Sequence, residues 1–210
     1  MKNTLKIGIV AASATLALLS AIGFQAKTEK YGVVDIAKVF NDSDYTKKQN
    51  DVLRAVGESR TGILDFMENF RVFTAEQATR FRELSLKADR TPAEQAELDK
   101  IKTAVQDSDA AFKKLQTKAN PTPEEVTQLQ DFNSRSQASA TLSQRWAREF
   151  DDEVRTLNEK LRADTMGRIK IALKDVGSKQ GYTLLFSEDV APYGANDMTA
   201  DAVKAMNAQK

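Results

Sequence analysis

The sequence contains no cysteine and no histidine among its 210 residues. The chain therefore lacks thiol nucleophiles, side chains that titrate near neutral pH, and the commonest ligands of zinc and copper. It also lacks a phosphate-binding glycine loop, a nucleophile elbow and a metalloprotease motif. We expect no catalytic residues, no metal and no cofactor, and we do not predict an enzyme.

Glycine, proline and net charge are scarce as well. The chain has 9 Gly and 4 Pro, with 41% hydrophobic and 29% charged residues. This composition is thin for a compact core of such a length, but it suits long amphipathic helices. Lys and Arg number 31 against 30 Asp and Glu. No net positive field favours nucleic acid, so we expect no nucleic-acid partner.

A long uncharged run is present at the amino terminus, where residues 7–24 follow Lys2 and Lys6. A basic start, an apolar stretch and small residues at its end are typical of a secretory signal. We interpret residues 1–26 as a signal peptide that directs export. The run is close to the shortest length that spans a membrane, so an uncleaved anchor is the alternative.

The central part of the chain has the pattern of long helices. Apolar residues recur at steps of three and four, which is the spacing of a coiled-coil seam. Thr91 and Thr122 each precede a proline and an acidic turn, as an N-cap does. These signals predict three helices, at about residues 46–89, 92–119 and 123–177. Their narrow apolar stripes require neighbouring helices.

The sequence leaves the docking of helix 92–119 open. It could continue the outgoing leg beyond a kink at Pro92, or it could fold back as an extra segment near the tip. We favour the kinked leg, because two antiparallel legs return the chain to its starting point.

Two β-prone segments lie at opposite ends of the chain, "YGVVD" from Tyr31 and "YTLLF" from Tyr182. A short helix is predicted after the second segment, with Thr199 as its N-cap. The helical excursion brings both ends together. We predict an α+β, mostly α fold, in which a discontinuous head of residues 27–45 and 179–210 joins a coiled-coil tentacle of residues 46–178.

A head with two strands buries too little apolar surface to be stable alone. Oligomerisation would let several subunits share one core. The residues that we expect to mediate oligomerisation are the apolar members of the two strands: Val33, Val34, Leu184, Leu185 and Phe186.

The terminal segments "YGVVDIAKVFNDSDYTKK" and "KQGYTLLFSEDVAPYGANDMTADAVKAMN" resemble the Skp/OmpH family of periplasmic chaperones. They flank the long helices in the family's order, whereas the helical middle could belong to any coiled coil. The resemblance implies a homotrimer with three tentacles around a cavity. It also implies an OmpH-like, ATP-independent holdase that keeps unfolded outer-membrane proteins soluble in the periplasm.

The chain departs from this family in its charge. Members are often strongly basic, whereas residues 46–178 carry nearly equal numbers of basic and acidic side chains. This balance argues against capture of clients or lipopolysaccharide by bulk positive charge, and contact with lipopolysaccharide or a membrane surface is left open. We interpret Arg80, Arg82, Lys87 and Arg90 as a solvated helix face. The alternative function is a membrane-anchored coiled-coil scaffold of the envelope.

Aromatic residues in the helices are the candidates for contact with clients, because they offer a large and non-directional contact area. Their helical spacing also allows them to be seam residues that pack against a returning helix. The candidates are Phe66, Phe70, Phe73, Phe81, Trp146 and Phe150.

Overall fold

The computed structural model describes residues 29–209. The predicted signal peptide, residues 1–26, lies outside this range. Among the described residues, no helix combines the length and the apolar character that crossing a membrane requires.

The described chain is mostly helical with one small pair of strands, which confirms the predicted fold class. Both strands lie near the ends of the chain, and the helices lie between and after them. In chain order the elements are β1 (Tyr31–Val34), α1 (Ile36–Asp42), α2 (Asp44–Asn69), α3 (Ala75–Leu86), α4 (Pro92–Gln116), α5 (Pro123–Lys179), β2 (Leu184–Ser187) and α6 (Thr199–Ala208).

The two strands pair in parallel, with Tyr31 of β1 opposite Leu184 of β2. The other edge of β1 is also occupied. The Val33 amide donates to the Asn196 carbonyl at 2.9 Å, and the Met198 amide donates to the Val33 carbonyl at 2.8 Å. β1 therefore lies between β2 and the segment before α6, and the two ends of the chain meet in one head.

The core of the head is built from β1, α1, α5 and α6. Its side chains come from both ends of the chain and from the last turns of the long helix, part of the stretch that we assigned to the tentacle. The limits at 45 and 179 stay a prediction. The buried members are Val34, Val39, Ile169, Ala172, Ala202 and Met206.

A glycine ends α5 and redirects the chain into the head. Gly181 has a φ of +72°, in the left-handed region that glycine adopts at little cost. The Tyr182 amide donates to the Gly177 carbonyl at 2.9 Å, and the Gly181 amide donates to the Ser178 carbonyl at 3.3 Å. This is a Schellman motif, which satisfies the last carbonyls of the helix.

Thr199 is not the N-cap of α6, contrary to our prediction. It is the first residue of that helix, whose N-cap is Met198. The Thr199 hydroxyl accepts a hydrogen bond from the Asp35 amide at 2.9 Å. The Thr199 amide donates to the Asp197 carboxylate at 2.9 Å. Thr199 therefore joins the two ends of the chain.

The predicted helix 46–89 is wrong in its length. It is broken at residues 70–74, which lie between α2 and α3. α3 begins with a reciprocal capping box, in which Thr74 and Gln77 exchange side-chain to backbone hydrogen bonds. Phe73, expected on a helical seam, lies in the linker.

α3 reverses direction and runs back along α2. The Phe66 and Phe81 rings lie 5.1 Å apart, and the Ser59 hydroxyl donates to the Ser85 carbonyl at 3.4 Å. The chain therefore folds back over residues 75–86. Our prediction of an outgoing leg with a single kink at Pro92 is wrong, because this reversed helix precedes the proline.

α4 then turns outward again, antiparallel to α3. Arg80 pairs with Glu97 across the two helices. Farther out, the Phe112 ring of α4 lies 5.6 Å from the Phe132 ring of α5. α4, the predicted helix 92–119, therefore runs in the outgoing direction that we favoured. The reversed helix α3 precedes it. The capped starts of α4 and α5 are confirmed, since Thr91 and Thr122 both form capping boxes.

We call the part of the tentacle where α3 and α4 pack on α2 and α5 the body. Its core is larger than that of the head and contains most of the aromatic side chains. The buried members are Ile63, Met67, Phe73, Ala78, Phe81, Leu84, Leu98, Val105, Trp146 and Phe150.

A two-helix neck joins the body to the head. Within the described chain, no side chain is buried between Thr46 and Ile63 on α2, or between Phe150 and Thr165 on α5. The two cores therefore share no buried side chains across the neck.

Candidate functional site

The aromatic residues of the body form one connected cluster. The Phe66 ring lies 4.9 Å from that of Phe70, and the Phe73 ring lies 5.4 Å from that of Phe81. On α5 the rings of Trp146 and Phe150 are 6.4 Å apart. These separations are those of favourable aromatic pairs, so the cluster contributes packing specificity as well as apolar burial.

The structure brings all six client-contact candidates together in the body, but most are not on its surface. Phe73, Phe81, Trp146 and Phe150 are at most 3% exposed. Phe66 and Phe70 are half-buried at the edge of the cluster. In this conformation the four buried residues pack in the core of the body. Contact of the six candidates with clients stays a prediction.

Arginine side chains cover the α5 half of the cluster. The Arg82 guanidinium lies 5.1 Å from the centre of the Trp146 ring and 5.0 Å from that of Phe150. It also pairs with Glu149 at 2.7 Å and with Glu153 at 3.6 Å. Arg82 is a cation–π partner and an ion-pair partner at once, so it attaches α3 to α5.

A second set of ion pairs attaches α3 to α4. Arg80 donates to both carboxylate oxygens of Glu97, at 2.8 and 2.7 Å. These bonds raise the pKa of Arg80 and lower the pKa of Glu97. The hydrogen bond from Lys87, followed by that from the Thr91 backbone, lowers the pKa of Glu94 to about 2. The side chains of these two pairs are 22–45% exposed, so solvent screens each pair and each contributes little stability alone.

Our interpretation of Arg80, Arg82 and Lys87 as a solvated face missed these pairs. The partners of Arg80 and Arg82 lie 17 and 67 residues away along the chain. Spacing along a single helix cannot reveal such pairs. The signal that could have suggested them is the capping box at Thr74, which marks α3 as a separate helix.

The head has an exposed apolar face beside β2. Leu184 and Phe186 point outward, with 52% and 38% of their surface exposed. Tyr31 packs near Phe186 with ring centres 6.2 Å apart. Tyr193 is 93% exposed and Val190 is 75% exposed. We call these five residues the head face.

The predicted oligomerisation residues divide between the inside of the subunit and the head face. Val34 is buried, while Val33 and Leu185 are half-buried. A Cβ added at Gly32 would lie 2.9 Å from the Leu185 side chain, so Leu185 packs inward. Leu184 and Phe186 remain available for a partner. Sequence reasoning missed Tyr31, at the start of β1, and also Val190 and Tyr193, whose exposure in a loop has no periodic signal.

Within residues 29–209, no three His, Cys, Asp or Glu side chains are grouped as ligands of a metal would be. The features with functional geometry are thus the aromatic body, its acidic and basic rim, and the head face.

The fold combines a head assembled from both chain ends with a long helical tentacle. The chain therefore falls in a class of elongated proteins whose candidate functional features are surfaces. Comparison with known families then identifies the chain. Residues 30–206 match the family described as outer membrane protein (OmpH-like), and the chain belongs to that family. No curated protein and no solved structure matches the chain. Family membership gives the chain a chaperone kind of role toward outer-membrane proteins, in the periplasm.

Proposed function

We propose that this protein is an ATP-independent holdase that binds unfolded outer-membrane proteins and keeps them soluble in the periplasm. The observation that carries the proposal is the extent of the family match, which covers residues 30–206 and so includes head and tentacle alike. A holdase needs an extended surface with many weak contacts. The long tentacle offers such a surface.

We further propose that the subunits form a homotrimer through the head face. Its apolar side chains are unusually exposed for a small head, and β2 has no further strand on its outer edge among the described residues. Association would bury this surface and protect the edge. Three tentacles would then extend from one base and enclose a cavity for the client.

Export by residues 1–26 is part of the proposal, because the clients cross the periplasm. Cleavage would release the chaperone, whereas an uncleaved segment would keep it at the membrane. The intact mass of the native protein distinguishes the two forms directly.

The test is an aggregation assay with the mature chain, residues 27–210. An unfolded outer-membrane β-barrel is diluted out of urea, and light scattering is followed with and without the chaperone, in the absence of nucleotide. We expect suppression of scattering at about equimolar trimer. Unchanged aggregation at a several-fold excess of trimer would contradict the proposal.

A further inference from the structure

We propose that α3 occupies a binding site for clients and is displaced by them. The site is the groove formed by Phe66 of α2, Leu98 of α4, and Trp146 and Phe150 of α5, which we call the α3 groove. Its ligand is an unfolded segment whose aromatic or aliphatic residues are flanked by arginine or lysine. This inference rests on the proposed holdase function and specifies where a client binds.

The apolar face of α3 shows what the groove accepts. Ala78, Phe81 and Leu84 are spaced by three residues and are each only 1% exposed. The Phe81 ring contacts the Phe66 ring at 5.1 Å. A short amphipathic helix laid into an apolar groove through such anchors is a common mode of peptide recognition. α3 has the form of a ligand that belongs to the same chain.

The rim of the groove sets the charge of its ligand. Arg82 of α3 pairs with Glu149 and Glu153, and Arg80 pairs with Glu97. When α3 leaves, these carboxylates lose their partners on that helix. Glu97 then loses Arg80, while Glu149 and Glu153 keep Arg145 and Arg60 at 3.6 and 2.7 Å. The three carboxylates outnumber these two cations, so the rim is acidic around an apolar floor and complements basic residues next to apolar ones.

The ends of α3 are satisfied within its own segment. At the start, the capping box uses only Thr74 and Gln77. At the end, the Arg90 guanidinium donates to the carbonyls of Leu84 and Lys87, at 2.9 and 2.7 Å. Arg90 also donates to the Gln95 side chain of α4 at 2.9 Å, and Lys87 pairs with Glu94 of α4, so opening at this end breaks these two contacts. With Thr74, Gln77 and Arg90 still bonded to it, α3 leaves the groove without exposing unsatisfied backbone groups at its ends.

The two linkers define how α3 moves. Residues 70–74 and 87–91 are both non-helical. The first remains anchored, since Val72 is fully buried in a cluster with Phe112 and Phe132. α3 therefore pivots about the first linker, and the groove opens at the end of α3 near Arg90.

A disulfide lock tests the displacement in the full-length protein. The chain has no cysteine, so Ser59→Cys with Ser85→Cys introduces a single possible bridge between α2 and α3. The Ser59 hydroxyl lies 3.4 Å from the Ser85 backbone carbonyl, so α2 and α3 approach closely at these two positions. Intact mass reports bridge formation, and reduction opens the bridge in the same sample.

The probe is a fluorescein-labelled peptide with the sequence of residues 75–90. The matched control peptide has glutamate at the three positions that correspond to Arg80, Arg82 and Lys87. We expect the reduced variant to bind the probe at least about tenfold more tightly than the oxidised variant, because a closed groove lowers the competent fraction. The control peptide should bind weakly to both. Equal affinity of the two forms, or no binding by the reduced form, would overturn the inference.

A second variant keeps the test independent of the bridge. Phe81→Ala removes the main anchor of the tethered α3, so the groove becomes more available to an external peptide. We expect roughly five- to tenfold tighter binding of the probe than by the wild type. If α3 serves only as part of the core, this variant binds no better, and the inference is wrong.

The aggregation assay separates this inference from the proposed function. If the oxidised variant suppresses aggregation as well as its reduced form does, the holdase function stands and the α3 groove is not its site. If the wild type fails to suppress aggregation, the holdase proposal fails, while the peptide measurements still decide whether the groove binds basic amphipathic segments.

Discussion

The head and the body differ in which parts of the chain form their hydrophobic cores. Asp35 and Thr199 of the head are joined by a hydrogen bond although 164 residues separate them. The body is assembled from one continuous stretch of chain, between Ile63 and Phe150. The head also leaves Leu184 and Phe186 exposed, while the body buries most of its aromatic rings.

The difference separates two tasks. The head would gain from the association that we propose, because a partner would bury its exposed apolar face. The body forms its core within one subunit, so the displacement of α3 that we propose would leave the proposed assembly unchanged. The neck, which has no buried side chain, isolates one core from the other.

The largest expected effect is on the body, from Phe150→Ala. Truncating a buried phenylalanine costs about 3–5 kcal/mol through lost burial and the cavity left behind. We expect faster hydrogen exchange in α3, α4 and the facing part of α5, and unchanged exchange in α6. Equal acceleration in α6 would show that the two cores unfold as one unit.

The next largest effect distinguishes the inner from the outer side of β2. Leu185→Asp places a carboxylate against the subunit's own core and should destabilise the head by several kcal/mol. Phe186→Asp changes only the head face and should produce folded monomers. Light scattering gives the mass, and circular dichroism gives the helix content. A trimer that survives Phe186→Asp would contradict the assignment of the head face.

A smaller effect tests the start of α4 in the body. Thr91→Ala removes the N-cap hydrogen bond to the Glu94 amide, which is 3.2 Å long. We expect a loss of about 1 kcal/mol in the unfolding free energy of the body. Thr103→Ala, at an exposed interior position of the same helix, is the matched control and should stabilise slightly, by a few tenths of a kcal/mol, because alanine has the higher helix propensity. Urea denaturation compares the two variants.

The smallest effect is the pH dependence of the ion pair between Lys87 and Glu94. The pKa of Glu94 is lowered from about 4.5 to about 2, so its charge favours the folded body above pH 4.5. This contribution is lost as the pH falls from 4.5 toward 2. Lys87→Met should raise the pKa of Glu94 toward its ordinary value, as measured by NMR titration. An unchanged pKa would show that Lys87 is not its cause.

Local signals in the sequence predicted the starts of α4 and α5, although the N-cap predicted at Thr199 was wrong. Thr91 with Pro92, and Thr122 with Pro123, specify helix starts through their own backbone chemistry, and the structure has both. The reversal at residues 70–74 contains neither Gly nor Pro. The phenylalanines around it retain a helical spacing, so periodicity gave no sign of the break.

The candidate site was predictable in composition but not in arrangement. The aromatic residues chosen from the sequence do meet in one cluster. Their burial depends on α3 and α4, and the path of these helices is decided by tertiary contacts such as that of Phe81 with Phe66. The pairing of Arg82 with Glu149 likewise requires the fold, because no sequence period relates the two residues.

Hydrogen exchange of the full-length protein, with and without a bound unfolded outer-membrane β-barrel, tests most directly whether the body captures clients and the head assembles subunits. We predict that α3 and the linker 87–91 lose protection when the client binds. We also predict that α5 around Trp146 stays protected and that β1, β2 and α6 are unchanged. Changes confined to the head, with α3 as protected as in the free protein, would contradict this prediction.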